Sequence, residues 1–174
     1  NSGGSDWFRA SFCNAVRIGR RLYMDNQAEP LTPGTPGAVQ EACSWRASVT
    51  NLRVVEAGDT VGYDAAWTAP RRTRVATVCV GYGDGLYYPL AEAGGPLLVG
   101  EQRARLLATC MDQCFVDVTD IPCRVGDEVT FFGQSSGGAT MPIQELGKFM
   151  HVEGVYFYSF LSPRVARVYE GLEP

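Results

Sequence analysis

The sequence predicts a mainly β domain, an antiparallel and Greek-key-like barrel or sandwich that carries one short helix. From about residue 38 onward, runs of β-forming residues recur every ~8–15 residues with turn-forming residues between them. No helical patterns alternate with these runs, so a parallel sheet is not expected. Apolar residues make up 45% of the chain, which is enough for a hydrophobic core.

The predicted strands follow one another along the chain. In order, the runs are AVQEACSWRASVTNLRVV, TVGYDAAWTA, TRVATVCVGY, PLLVGEQRARLLATC, CFVDVTD, DEVTFFG and RVARVYEG. The fourth run contains a predicted hairpin turn at Gly100 and Glu101. The segment TMPIQELGKFM is the predicted helix, because four of its apolar residues recur at helical spacing. These residues are Ile143, Leu146, Phe149 and Met150.

The start of the chain differs in composition from the rest. Residues 1–24 begin with the polar, glycine-rich NSGGSDW and show no clean strand alternation. Residues 25–37, DNQAEPLTPGTPG, are rich in proline and glycine, as loops and linkers are. We therefore predict an N-terminal segment of residues 1–24, a linker of residues 25–37 and a β domain of residues 38–174. Because the chain lacks an initiator methionine and a signal peptide, we expect it to belong to a longer protein.

Composition argues against several functional classes. The net charge is −4 and the arginines are scattered, whereas a nucleic-acid-binding protein needs a basic face. No apolar run reaches the ~18–20 residues of a membrane span. The six cysteines lack paired metal-site spacing, and His151 is the single histidine, so no metal site is predicted. We expect reduced, mostly buried thiols in a cytoplasmic protein, and a solvated role for the single lysine, Lys148.

Three predicted strand ends carry side chains suited to a ligand site. They are Tyr63 in AGDTVGYDAAW, Tyr82 in VCVGYGDG and Met111 in CMDQ. Each feature also has a purely structural interpretation. A tyrosine in a strand usually packs half-buried, and a methionine between strands usually fills the core. Asp84 between glycines is typical of turn chemistry. Taken singly, none of these residues identifies a site.

Taken together and in order, these motifs resemble the C-terminal half of the alanine racemase family, pyridoxal-phosphate enzymes built from a barrel followed by a β domain. The matching segments are VATVCVGYGDG, CMDQCFVDVTD, VGDEVTFFG and LSPRVARVY. NSGG and AVRIGRRLYM resemble segments at the end of the family's barrel, with Ser2 and Arg17 at the family's spacing. The resemblance implies that residues 1–24 are the remnant of the end of a (β/α)8 barrel.

The resemblance implies interconversion of L- and D-alanine by two-base exchange of the α-proton. Tyr63 would be the catalytic tyrosine, and its ordinary pKa near ~10 would have to be lowered by neighbouring groups. Tyr82 and Met111 would line the substrate pocket. These three residues would serve the site of the neighbouring subunit in a homodimer.

The same resemblance implies how pyridoxal 5′-phosphate is held. Arg17 would face the pyridine nitrogen and, being always protonated, would donate to that nitrogen. Ser2 would bind the phosphate together with the backbone N–H groups of Gly19 and Arg20. The family's Schiff-base lysine would lie before Asn1, so the chain by itself is expected to be inactive.

Several departures from the family pattern leave alternatives open. Asp64 and Trp67 stand where many members carry a glycine and a second tyrosine, and Gly83 stands where alanine is commoner. Pro163 stands where some members have a tyrosine that reaches the phosphate. LLATCMDQ lacks the usual Gly-Arg before the cysteine. The substrate therefore stays open between alanine and serine, which is the substrate of the membrane-tethered serine racemases of glycopeptide resistance.

A second hypothesis comes from a different class. The chain could be an inactive, free-standing β-barrel module for dimerisation or ligand binding. A lysine-bearing barrel upstream of Asn1 distinguishes the enzyme from this module.

Overall fold

The computed structural model describes residues 14–15, 17–23 and 42–170. The chain divides into two compact units, Asn1–Ser44 and Trp45–Pro174. In the first unit, a short 3-10 helix spans Arg20–Leu22, and the Leu22 N–H donates to the Gly19 carbonyl at 2.9 Å. Ser2 and the predicted linker of residues 25–37 lie outside the described residues.

A seven-stranded sheet dominates the described part of the second unit. Every pairing in it is antiparallel, and the strand order is β1-β4-β7-β6-β5-β8-β9. A separate pair is formed by β2 and β3. The strands are β1 Trp45–Val55, β2 Thr60–Val61, β3 Trp67–Thr68, β4 Thr73–Val78, β5 Pro96–Val99, β6 Gln102–Thr109, β7 Cys114–Asp117, β8 Glu128–Gln134 and β9 Thr140–Met141. This architecture confirms the predicted mainly β, antiparallel fold class.

The long strand β1 closes the sheet into a barrel. Its second half, from Val49, pairs with β4, whereas its first half, Trp45 to Ser48, pairs with β8. The register shifts between Val49 and Asn51, as it does at a β-bulge, and such shifts bend a strand. Closure leaves fewer open strand edges, and it gives the barrel an interior for side chains to fill.

The core lies inside this barrel and beneath the helices. Its largest fully buried side chains include Val49, Val75, Leu97, Leu106, Val116 and Phe132. Trp45 packs against Phe131 with ring centroids 4.7 Å apart. Burial of these apolar surfaces stabilises the barrel by roughly 25 cal/mol per Å².

Helices cover part of the barrel: α1 Tyr88–Glu92, α2 Ile143–Met150 and α3 Val155–Phe160. The helix predicted from TMPIQELGKFM is confirmed as α2, with Ile143 and Leu146 buried and Lys148 exposed. The other two helices in the described part were not predicted. The sequence of α3, VYFYSF, is aromatic and apolar almost throughout, so it carries no 3.6-residue periodicity.

Two predicted strands differ from the structure. TVGYDAAWTA is interrupted by a 3-10 turn, Tyr63–Ala65, because Gly62, Asp64 and Ala65 have positive φ angles of 87°, 51° and 55°. RVARVYEG contains no strand up to residue 170, and its Val168 and Tyr169 are exposed. The strand propensity of these residues was not sufficient to form a strand, because a strand also needs a neighbouring strand with which it can pair. Among the described residues, none of the helices has the length and apolarity that crossing a membrane requires.

Candidate active site

Tyr63, Tyr82 and Met111 lie together at one end of the barrel. Tyr82 and Met111 follow the ends of β4 and β6, and the Tyr63 phenol lies close enough to the Tyr82 phenol and the Met111 backbone for both to shift its pKa. All three side chains are exposed, Tyr63 by 56% and Met111 by 52%. Met111 is therefore not core filler, and neither tyrosine is sealed inside the barrel. The three residues that the sequence analysis singled out form one surface cluster.

A tight turn between β2 and β3 presents Tyr63. Val61 of β2 is buried and pairs with Trp67 of β3, which packs against the hydrophobic core. Gly62 lies so close to β6 that a Cβ atom on it would stand 2.9 Å from the Cβ of Ala108. The positive φ of Asp64 and Ala65 then turns the chain back, at a cost of roughly 1–2 kcal/mol for a residue such as alanine. The turn is therefore held by core packing at both of its ends.

The glycine loop, residues 81–85, presents Tyr82 by docking on the CMDQ segment. The Tyr82 N–H donates to the Cys110 carbonyl at 3.0 Å, and the Gly83 N–H donates to the Met111 carbonyl at 2.8 Å. A Cβ atom on Gly81 would stand 2.3 Å from the Cys110 carbonyl oxygen. Glycine is thus required at position 81 because two backbones meet there. The glycine at position 81 therefore allows the chain to turn after β4 and to place Tyr82 next to the CMDQ segment.

The surroundings of Tyr63 raise its pKa above the ordinary tyrosine value. The Cys110 thiol raises the pKa of Tyr63 most, followed by loss of hydration, the Tyr82 phenol and the Asp112 carboxylate. A hydrogen bond with the Met111 backbone lowers this pKa and offsets only part of the rise. Within the described residues, the groups that shift this pKa are neutral or acidic. A cation that activates Tyr63 as a base would have to come from elsewhere.

A cleft of about 300 Å³ adjoins Tyr63. It lies between the Tyr63 turn, helix α1 and the end of β6, and its walls include Tyr88, Glu92 and Ala108. Tyr88 is exposed, and its ring meets the Tyr82 ring edge-on with centroids 6.0 Å apart. Tyr88 was not predicted from the sequence, because it follows the glycine loop within a helix that has no clear periodicity. The cluster around Tyr63 therefore offers three tyrosine rings and one open cavity.

In the first unit, the described residues suit an anionic group. Arg17 and Gly19 are exposed and Arg20 is half-buried. A Cβ atom on Gly19 would meet nothing within 4 Å, so the backbone there can be approached closely. Two permanently charged guanidinium groups beside an open glycine are chemically compatible with a phosphate. Their binding roles, and that of Ser2, stay predictions.

The described residues include both exposed and buried cysteines. Cys43 and Cys79 are exposed, whereas Cys110, Cys114 and Cys123 are buried. Over residues 14–15, 17–23 and 42–170, no three His, Cys, Asp or Glu side chains are grouped as ligands of a metal ion.

Comparisons with known proteins place these features in a family. A family model described as "Alanine racemase, C-terminal domain" matches residues 42–169. An alanine racemase of Desulforamulus reducens is 34% identical over 173 residues, which is 98% of this chain and 45% of that protein. The chain thus spans less than half the length of this curated relative.

Two solved structures extend the comparison. The alanine racemase of Bacillus anthracis with bound L-Ala-P has a TM-score of 0.75 at 26% identity, over 91% of this chain and 40% of that chain. A histidine racemase of Leuconostoc mesenteroides has a TM-score of 0.65 at 30% identity, over 76% of this chain and 35% of that chain. The shared fold therefore occurs in racemases named for different amino acids.

Proposed function

The chain belongs to the alanine racemase family and carries that family's C-terminal domain at residues 42–169, and from this premise we propose that it forms part of a pyridoxal-phosphate-dependent racemase that interconverts L- and D-alanine. One observation carries the proposal. The Tyr63 side chain is exposed at the same end of the barrel as Tyr82 and Met111, and its phenol lies close enough to both for them to shift its pKa. A group that exchanges protons with a substrate must be reachable and held in position, and this arrangement meets both needs.

In the proposed reaction, Tyr63 carries a proton on one face of the substrate. Its phenolic oxygen gives a proton to the α-carbon or takes one from it, while a lysine upstream of Asn1 acts on the opposite face. The raised pKa of Tyr63 favours the proton-donating form in this domain. For the reverse direction, a cation from outside the described residues would have to stabilise the phenolate.

The neighbouring residues orient the substrate and the catalytic oxygen. The Met111 backbone lies close to the Tyr63 hydroxyl and favours its charged form, and Tyr82 would form one wall of the substrate pocket. Pyridoxal 5′-phosphate, when bound, withdraws electrons and so makes the α-proton acidic. Arg17, Gly19 and Arg20, together with Ser2, would hold that cofactor through charge and backbone N–H groups.

We further propose that the site is shared across a homodimer. Tyr63, Tyr82, Tyr88 and Met111 form an exposed cluster of large apolar side chains. Such clusters are typical of surfaces that another protein or a ligand covers. The Tyr63 cluster of one subunit would therefore complete the cofactor site of its neighbour.

Racemisation by the full-length protein tests the proposal, with alanine, serine and histidine assayed side by side. Tyr63→Phe removes the hydroxyl and keeps the ring, so we expect a rate loss of about 10²–10⁴-fold. Tyr156→Phe is the matched control, because Tyr156 is an exposed tyrosine on α3. An unchanged rate in Tyr63→Phe would contradict the assigned role.

The second candidate, an inactive module, predicts a different result. In that case the full-length protein racemises none of the three amino acids, although the chain still associates with a barrel domain. Activity with serine or histidine but not with alanine would support the proposed racemisation and would contradict alanine as its substrate.

A further inference from the structure

We propose that Asp84 is a positioning residue, which together with Arg164 holds the glycine loop so that Tyr82 and Met111 face the substrate. This inference rests on the proposed function. The sequence is compatible with simple turn chemistry for Asp84, but the structure buries its carboxyl group, leaving the residue only 8% exposed. A buried carboxylate is costly unless it is paired, so the contacts of Asp84 must compensate for its burial.

Asp84 closes the glycine loop on itself. The Gly81 N–H donates to the Asp84 Oδ2 atom at 2.9 Å, and the Asp84 N–H donates to the Gly81 carbonyl at 3.0 Å. These reciprocal bonds fix the point at which the chain leaves β4. Tyr82 lies between Gly81 and Asp84 in the sequence. Its backbone therefore has little freedom to move while both hydrogen bonds are present.

Asp84 also ties this loop to the segment after α3. The Arg164 Nε atom lies 3.5 Å from Asp84 Oδ1, and the Ser162 N–H donates to the Asp84 carbonyl at 2.9 Å. The Arg167 guanidinium in turn donates to the Leu161 carbonyl at 3.2 Å. Residues 161–167 form no strand or helix, so these polar contacts help to determine where Arg164 stands.

The same contacts reach Met111. The Gly83 N–H donates to the Met111 carbonyl at 2.8 Å. A Cβ atom on Gly83 would stand 3.2 Å from both the Arg164 Nη1 atom and the Met111 Cγ atom. Because Gly83 has no Cβ atom, the Arg164 guanidinium group and the Met111 side chain can both lie close to the loop at this position. One ion pair therefore supports both proposed substrate-facing residues, Tyr82 and Met111.

Arg164→Gln in the full-length protein is the main test, because the Arg164 side chain is 59% exposed and its loss should leave the fold intact. We expect the KM for alanine to rise by about three- to tenfold, with a smaller change in kcat, since substrate placement is what the loop controls. Arg164→Lys keeps the charge and should recover part of the loss. Asp84→Asn retains an oxygen that accepts the Gly81 N–H but removes the negative charge. The change in KM of this variant therefore measures the contribution of the charge of Asp84.

Arg103→Gln is the matched control. Arg103 is 55% exposed and pairs with Glu145 of α2, away from the glycine loop. This variant should change thermal stability without changing KM. If the wild type racemises alanine and Arg164→Gln has wild-type KM and kcat, the positioning role is refuted while the proposed function stands. A wild type without racemase activity refutes the proposed function instead.

Discussion

The backbone N–H of Gly83 donates a hydrogen bond to the carbonyl oxygen of Met111 at 2.8 Å. This bond joins the loop after β4 to the loop after β6, and the neighbouring bond from Tyr82 to Cys110 reinforces it. Tyr82 and Met111 are therefore positioned by one shared backbone contact. A change in either loop should therefore be transmitted to the other.

Gly81→Ala should destabilise the domain by about 1–3 kcal/mol, because the added Cβ collides with backbone rather than with a flexible side chain. Gly81 has an extended backbone that any residue tolerates, so the cost is steric. Gly100→Ala is the control, since Gly100 has a φ of +56° and open space around it. It should cost about 1 kcal/mol through backbone conformation alone. Urea denaturation of both variants measures the two costs, and a smaller cost for Gly81→Ala than for Gly100→Ala would contradict the close backbone contact.

Tyr63 should titrate above ~10, the ordinary tyrosine value, in this chain. The difference in phenolate absorbance between wild type and Tyr63→Phe isolates its titration. Cys110→Ala should move the midpoint downward, since the Cys110 thiol is the largest cause of the raised pKa. A midpoint below ~10 in the wild type would show that a cation already acts on Tyr63.

Glu128 should make folding stability depend on acidic pH. Partial burial opposes its ionisation, but hydrogen bonds from Ser136 and the charge of Arg46 outweigh this effect and lower the pKa of Glu128. The contribution of Glu128 is therefore fully present above the unfolded value of ~4.3 and is lost as pH falls through the lower folded value. Glu128→Gln should flatten the decline in free energy of unfolding between about pH 5 and pH 3.

Glu170→Gln is the control for that experiment. Glu170 also approaches Arg46, at 3.8 Å, but its side chain is 84% exposed. Its removal should leave the pH dependence of stability unchanged, because an exposed ion pair contributes little. Equal effects of the two substitutions would mean that the Ser136 hydrogen bonds do not stabilise the charged form of Glu128.

Thiol reactivity should differ sharply among the described cysteines. Burial raises the pKa of Cys114, with further contributions from Cys79, Cys110 and Asp84. Because the thiolate is the reactive form, Cys114 should resist alkylation in the folded protein, whereas exposed Cys79 should react. Mass spectrometry of peptides after brief alkylation measures both sites. Labelling of Cys114 before unfolding would contradict its burial.

The sequence alone predicted the elements whose signals are local. Helix α2 shows its apolar residues at helical spacing, and a two-residue turn at Gly100 and Glu101 joins β5 to β6 as expected. Helix α3 was missed, because a segment that is apolar on all sides has no period to detect. The RVARVYEG segment was wrongly predicted as a strand, since strand formation depends on a neighbouring edge that the sequence does not reveal.

For the candidate site, the motifs singled out Tyr63, Tyr82 and Met111, and only the tertiary structure brought their strand ends to one place. Folding likewise decided the burial of Asp84 and its pairing with Arg164. These two residues are far apart in the sequence, whereas local sequence patterns link residues only within about one helical turn or one hairpin. Residue type and spacing specify what chemistry a side chain can perform. Which side chains meet depends on strand pairings such as that of β1 with both β4 and β8, and these pairings arise from packing of the whole barrel.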